Sequence, residues 1–310
     1  MRIIFMGTSE FAACSLRALQ DAGHDIAAVF TRTDKPAGRK MEIISSPVKK
    51  FAEEIGLPIY QPKTLRTPES WEQIKALSPE LIVVVAYGMI LPRGLLEIPP
   101  LGCVNLHGSI LPRHRGASPI NAAILSGDEM SGVTTMYMSE GIDEGDIIQI
   151  AETPVGPAET AGELYERLKV IGAELLCETL GLISEGRAGR IPQDAGLATF
   201  CGRLDAQTGL IDWTADAASI SRLVRGLNPV PGAYTFFKGK KLKIHMALPV
   251  ERRSELPPGS IEQLDKEKIV ISCGNQTLLA VTVLQLEGKK TVGAGEFSNG
   301  YRLQKAQIIG

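Results

Sequence analysis

Leu81-Ile82-Val83-Val84-Val85-Ala86 is apolar at every position. A strand without a polar face has to be covered on both sides, the condition of a central strand in a parallel sheet flanked by helices. The neighbouring segments agree. Ile3-Ile4-Phe5-Met6 is a second apolar run, turned by Gly7-Thr8-Ser9 into a helical pattern that reaches about Ala22 and closes on Gly23. Ile26–Phe30 is another strand, and Pro47 to about Ile55 is a helix with proline in its first turn. Gly102–His107 is the next strand, followed by a helix over Ala117–Leu125. Val133–Met138 and Ile147–Ile150 read as two more strands. From Thr160 to about Glu185, Leu164, Leu168, Ile171, Leu175 and Leu176 form the stripe of a long amphipathic helix. This alternation predicts an α/β, Rossmann-like doubly wound, mostly parallel sheet with its site at the carboxyl ends of the strands.

The pattern changes beyond residue 189. Gly189, Pro192, Gly196 and Gly202 punctuate a stretch without period, read as a linker over 190–206 between a domain of residues 1–189 and one of 207–310. In the second domain a helix over Ala217–Leu227 precedes short strands at Ala233–Phe237, Lys241–Met246, Lys268–Cys273 and Leu278–Leu286. An OB-like β-barrel is the natural reading, a β-sandwich the other, and barrels of the OB type commonly bind nucleic acids.

Composition narrows the class. The 310 residues are 44% hydrophobic and 22% charged, as in a globular protein of two domains. Residues 1–210 carry 19 Lys and Arg against 26 Asp and Glu, whereas 211–310 carry 14 against 9. A basic C-terminal third on an acidic body suits a polyanionic partner, and a solvated lysine-rich surface would read the same way on charge alone. The five cysteines are scattered and never form C-x-x-C, which speaks against a disulfide framework or a zinc site and for a reducing compartment. No signal-peptide pattern opens the chain, and no apolar run approaches the ~18 residues of a membrane span, so a cytoplasmic protein is expected. Gly7-Thr8-Ser9-Glu10 lacks the G-x-G-x-x-G pattern of dinucleotide binding.

Chemistry concentrates in Val104-Asn105-Leu106-His107-Gly108-Ser109-Ile110-Leu111-Pro112 and Gly141-Ile142-Asp143-Glu144-Gly145-Asp146. Asn105 and His107 are two apart, so on a strand both point to one face. Each alone has an ordinary structural use: an asparagine or aspartate closing a turn, a histidine satisfied in a core. Together they are complementary. Asn105 offers an N–H to a carbonyl oxygen gaining charge, His107 can take and return a proton, and Asp143 can orient the imidazole. No Ser, Cys or Lys stands among them as a nucleophile, which favours direct transfer over a covalent intermediate. Metal binding is the weaker reading, since asparagine is a poor ligand and no second histidine is near in sequence.

At these residues the chain resembles the 10-formyltetrahydrofolate-dependent formyltransferases. Asn-x-His-x-Ser-x-Leu-Pro, then Arg-x-Arg-Gly-Ala, then Gly-x-Asp-x-Gly-Asp carry the likeness. It extends over nearly the whole chain, through Thr31–Arg39, Ser46–Lys49, Val83–Pro92, Ile211–Trp213 and Arg225–Pro229. The resemblance implies 10-formyltetrahydrofolate as formyl donor and an initiator methionyl-tRNA as acceptor. The methionyl α-amine would attack the formyl carbon, with Asn105 on the oxyanion and His107 and Asp143 handling the proton. Tyr87-Gly88-Met89-Ile90-Leu91 and Ser109-Ile110-Leu111-Pro112 match folate-contacting segments. The loop with Arg32, Lys35, Arg39 and Lys40 matches one that enters the tRNA acceptor stem, Arg39 being its key base. Lys241 and Lys243 share a strand face and are candidates for phosphate contacts. The family's lysine-rich stretch before Ile-Asp-Trp is replaced here by Thr199–Gln207, where Arg203 is the only base. The resulting expectation is a monomeric enzyme without a metal or a membrane partner. An amino sugar nucleotide or another small amine as acceptor, a 10-formyltetrahydrofolate hydrolase, or a noncatalytic RNA-binding protein are the competing readings; the last leaves Asn105, His107 and Asp143 without a purpose.

Overall fold

The computed structural model describes residues 1–37 and 42–310. Its first unit is built on seven strands: β1 (Arg2–Gly7), β2 (Asp25–Phe30), β3 (Ile59–Tyr60), β4 (Leu81–Val85), β5 (Cys103–His107), β6 (Met130–Tyr137) and β7 (Ile147–Pro154). They lie in the order β7-β6-β5-β4-β1-β2-β3. The aliphatic run forms β4, parallel to β1 on one side and β5 on the other, with all five of its residues buried. The exception to parallel pairing described here is β6, which runs antiparallel to β5 and sets Met136 opposite Asn105 and Thr134 opposite His107. That reversal matters for the site, because it brings the start of β6 beside the carboxyl end of β5.

Helices start where side chains can cap them. In α1 (Glu10–Asp21) the Ser9 hydroxyl accepts from the backbone N–H of Ala12. In α2 (Pro47–Glu54) Ser46 accepts from Lys49 N–H at 3.0 Å, with Pro47 in the first turn, where a missing N–H costs nothing. The long helix α3 (Ala161–Ser184) buries Leu168 and Leu176 completely. Between β2 and α2, Lys35–Ala37 pairs antiparallel with Glu42–Ile44.

The two compact units do not divide at a single point in the chain. The first comprises Met1–Pro119, Ser131–Thr153 and Tyr165–Cys201; the second Ile120–Met130, Pro154–Leu164 and Gly202–Gly310. Hydrogen bonds to backbone carbonyls tie the second unit's early segments to its late ones. Asn121 donates to Gly226 O at 2.7 Å, Arg225 to Glu159 O at 2.9 Å, and Gly162 N–H to Asn228 O at 3.0 Å. Residues 190–201, inside the expected linker, belong to the first unit, where Phe200–Cys201 pairs in parallel with Arg115–Gly116.

The second unit holds an antiparallel sheet of β8 (Ala233–Phe237), β9 (Lys240–Val250), β10 (Ile261–Leu264), β11 (Ile269–Ser272) and β12 (Leu278–Leu286), in the order β8-β9-β12-β11-β10, with Val292–Gly293 paired on β12. The barrel-like expectation takes the form of an open path whose two edges are covered by coil. Gly209 and Ile211 bond Tyr234 on one edge, and Ala306 and Gln307 bond Ile261 on the other. β9 runs past the Met246 boundary read from the sequence, because a register shift at His245 lets the strand bend and continue through Pro249. The strand β10 carries no strand signal in the sequence, because Glu262 and Gln263 break its apolar pattern. Helix α4 (Ala217–Gly226), capped by Asp216, adds Ile220 and Val224 to a core containing Trp213, whose indole donates to Thr235 at 3.1 Å.

Candidate active site

Strand β5 ends in Asn105-Leu106-His107, and all five strand residues are buried. With two-residue periodicity Asn105 and His107 share a face, while Leu106 turns to the other. Asn105 is 9% exposed, and among the described residues its carboxamide makes no hydrogen bond, so its donors remain available to a bound group. The His107 ring is held on both sides. Its Nε2 lies 3.0 Å from the carbonyl oxygen of His114, and its Nδ1 lies 3.6 Å from Asp143 Oδ2. A carbonyl can only accept, so Nε2 carries the hydrogen and Nδ1 is the nitrogen that takes a further proton.

Asp143 comes from a turn between β6 and β7 and has φ +50°, the left-handed region that costs most residues about 1–2 kcal/mol and that Asp tolerates better than most. Its Oδ2 accepts from Gly116 N–H at 2.8 Å. Gly116 itself sits at φ +119°, with no room for a side chain: a Cβ there would come within 2.2 Å of Cys201 O. Gly145 is constrained in the same way, by Tyr137 O at 1.7 Å.

Sequence reasoning missed the groups that bring these pieces together. Gln193 donates to the carbonyls of Asp143 and Gly145 at 2.9 and 2.8 Å and accepts from the buried Arg115 at 3.1 and 2.8 Å. Thr199 accepts from His114 N–H through its hydroxyl at 2.8 Å and from Arg115 N–H through its carbonyl at 2.8 Å. Both residues lie in an aperiodic stretch with no local pattern to mark them. Thr134, opposite His107, donates to Ser109 O at 2.6 Å and accepts from Leu111 N–H at 3.2 Å.

The segments expected to face folate divide by burial. In Tyr87–Leu91 the side chains of Tyr87 and Leu91 enter the core and Met89, half-buried, packs against it, while Gly88 and Ile90 are exposed, Ile90 at 65%. Burial raises the Tyr87 phenol above its ordinary range, so it stays protonated, and its hydroxyl has no partner among the described residues. In the second segment Ser109 donates to Arg113 O at 2.7 Å, which closes the turn, and Ser109 and Leu111 are buried while Ile110 and Pro112 are half-buried.

The basic residues are distributed differently. Arg32 donates to Gly88 O, so its guanidinium is directed at the Tyr87–Leu91 segment. Lys35 is exposed at the start of the short strand pair. Arg39 and Lys40 lie outside the described residues. Asp34 and Lys49 form a 2.5 Å ion pair that Gln61 joins, and the ammonium holds the Asp34 carboxyl below its usual range. In the second unit Arg203 is exposed, Lys241 Nζ lies 3.7 Å from the Tyr234 ring centroid, and Lys243 donates to Pro231 O at 3.3 Å. Among the described residues no group of three or more His, Cys, Asp or Glu could hold a metal ion, and no helix is long and apolar enough to cross a membrane.

Residues 1–180 match the family described as formyl transferase, and 203–302 match the formyl transferase C-terminal domain. The chain is 45% identical over 310 residues to a methionyl-tRNA formyltransferase of Geotalea uraniireducens, covering all of this chain and 98% of that one. It is 43% identical to a methionyl-tRNA formyltransferase of Alkaliphilus oremlandii, with full coverage of both. Among solved structures, the sugar 3N-formyl transferase WlaRD, crystallised with dTDP and 5-N-formyl-THF, shares the fold. Its TM-score is 0.69 at 17% identity, over 94% of this chain and 99% of that one. HypX from Aquifex aeolicus in complex with tetrahydrofolic acid aligns at TM-score 0.64 and 18% identity, over 100% of this chain and 50% of that one.

Proposed function

The chain belongs to the formyl transferase family, and from that membership we propose its reaction: transfer of the formyl group of 10-formyltetrahydrofolate to the α-amine of initiator methionyl-tRNA, at the start of translation. The observation that carries the acceptor is the end-to-end likeness to methionyl-tRNA formyltransferases, which includes the basic stretch 211–310.

The amine nitrogen attacks the formyl carbon, a C–N bond forms, and the carbonyl oxygen takes the negative charge of a tetrahedral intermediate. The free carboxamide of Asn105 is suited to donate to that oxygen; one such preorganised donor is worth roughly 3–4 kcal/mol in a transition state. The amine proton passes to His107 Nδ1, where the imidazolium faces Asp143. Returned to the folate nitrogen, the same proton lets the C–N10 bond break, which balances the reaction without a covalent enzyme intermediate. The Tyr87–Leu91 segment, with Gly88 and Ile90 exposed, and the turn at Ser109–Pro112 are assigned to folate. Arg39, Lys40, Lys35, Arg203, Lys241 and Lys243 are assigned to tRNA, and Arg32 to both, through its bond to Gly88 O. Catalysis is assigned to the first unit, residues 190–201 included, and RNA binding to 207–310, in a monomeric enzyme of the cytoplasm.

Formylation measured with charged initiator tRNA, with an amino sugar nucleotide and with no acceptor tests the assignment. Product on tRNA alone is expected. Product on the sugar, or formate release without acceptor, would overturn it.

A further inference from the structure

The carboxamide of Gln193 has two donors and an oxygen that accepts twice, and the structure uses all of them. Oε1 accepts from Arg115 Nε at 3.1 Å and from its terminal nitrogen at 2.8 Å. Nε2 donates to Asp143 O at 2.9 Å and Gly145 O at 2.8 Å. The orientation has one solution. A reversed amide would set its NH2 against a guanidinium and its oxygen against two carbonyls. Gln193 lies between the stretches matched by the two family comparisons, 1–180 and 203–302.

We propose that Gln193 is a positioning residue for the Asp143 carboxylate, so that the segment joining the two matched stretches is part of the active site. The inference rests on the reading of His107 and Asp143 given above. Its physical basis is that Asp143 stands in a turn with glycines at 141 and 145, in a left-handed conformation that few local bonds support. Gln193 holds that turn by two carbonyls at once. Through Arg115 it anchors the turn to the loop that supplies Gly116 N–H to Asp143 Oδ2 and His114 O to His107 Nε2. Thus the two loops that grip the imidazole are clamped to each other by one neutral side chain. Neutrality matters as well. Gln193 occupies the side-on donors of the Arg115 guanidinium without adding charge, and Asp143 keeps its own charge for the ring of His107.

Two variants separate positioning from folding. Gln193→Met keeps the volume and loses the bonds to Arg115 and to both carbonyls. Gln193→Glu keeps the acceptors for Arg115 but has no proton for the two carbonyls. Each is expected to lower kcat about 10- to 100-fold, the worth of the two carbonyl bonds that both variants lose, with KM for folate and tRNA nearly unchanged. In the Asp143→Asn background neither should lower kcat further, because the group being positioned has already lost its charge. A readout free of substrate accompanies this: the ¹⁵N shifts of the His107 ring nitrogens should move in Gln193→Met in the direction they move in Asp143→Asn. If kcat stays within twofold of wild type, if the losses add in the Asp143→Asn background, or if the ring shifts stay still, the proposal is overturned. Failure of the wild type to formylate tRNA would strike the functional reading instead, while the ring shifts still report on Gln193.

Discussion

Asp143→Asn removes a charge while keeping shape. In the wild type Oδ2 lies 3.6 Å from His107 Nδ1 and accepts Gly116 N–H at 2.8 Å. An asparagine whose amide oxygen takes the place of Oδ2 keeps the Gly116 bond and faces Nδ1 as a neutral acceptor. No carboxylate charge then remains to stabilise the imidazolium. Unit charges about 4 Å apart interact by roughly 4 kcal/mol at an effective dielectric constant near 20. The Asp143 side chain is 19% exposed, so solvent reduces this to about 2–3 kcal/mol. At 1.36 kcal/mol per tenfold, that is a loss in kcat of about 30- to 150-fold. Single-turnover formylation of charged initiator tRNA across about pH 6 to 9 measures it, with circular dichroism to confirm folding. A variant within threefold of wild type across that range would refute the assignment of Asp143 as partner of the imidazole.

Asn105→Ala is expected to cost kcat about 100- to 1,000-fold with little change in either KM, as a donor engaged mainly in the transition state would, and steady-state kinetics decide it. Gly116→Ala should destabilise the first unit by about 2 kcal/mol or more, since a Cβ meets Cys201 O at 2.2 Å in a left-handed conformation; urea denaturation would show it as a lower midpoint. The pair Asp34–Lys49 makes a pH-dependent contribution. The Asp34 carboxyl is held below its ordinary value by its hydrogen bond to Lys49, so the stabilisation is complete above that ordinary value and is lost as pH falls through the depressed one. Lys49→Met should therefore remove part of the loss in thermal stability below about pH 4, and an unchanged acid limb would exclude the pair as its source.

Much of this was legible along the chain because it depends on short-range periodicity. An apolar residue at every position of Leu81–Val85 requires cover on both faces, and the run is the buried strand between two parallel neighbours. Two-residue spacing alone sets Asn105 and His107 on one face of β5. Capping serines at 9 and 46 mark helix starts through bonds that span three residues. Elements whose pattern is broken by polar residues or proline, such as Ile261–Leu264 and the end of β9, were shortened or missed, since cross-strand pairing rather than local preference holds them.

The residues 105, 107 and 143 were therefore nameable from sequence as candidates, whereas their relation was not. That His107 presents Nδ1 to Asp143 follows from His114 O taking Nε2, a carbonyl seven positions on that has no side-chain identity to read. That Asp143 is held in place follows from Gly116, fixed in turn against Cys201, and from Gln193, fifty residues away. Arg32 carries a charge that any sequence reading assigns to phosphate, yet its guanidinium reaches Gly88 O. Sequence alone determined which chemical groups are present and which face of a strand they take, because covalent geometry and burial set that. Only the tertiary structure decided which donors meet which acceptors, since backbone carbonyls and an amide in an aperiodic stretch find their partners through the packing of distant loops.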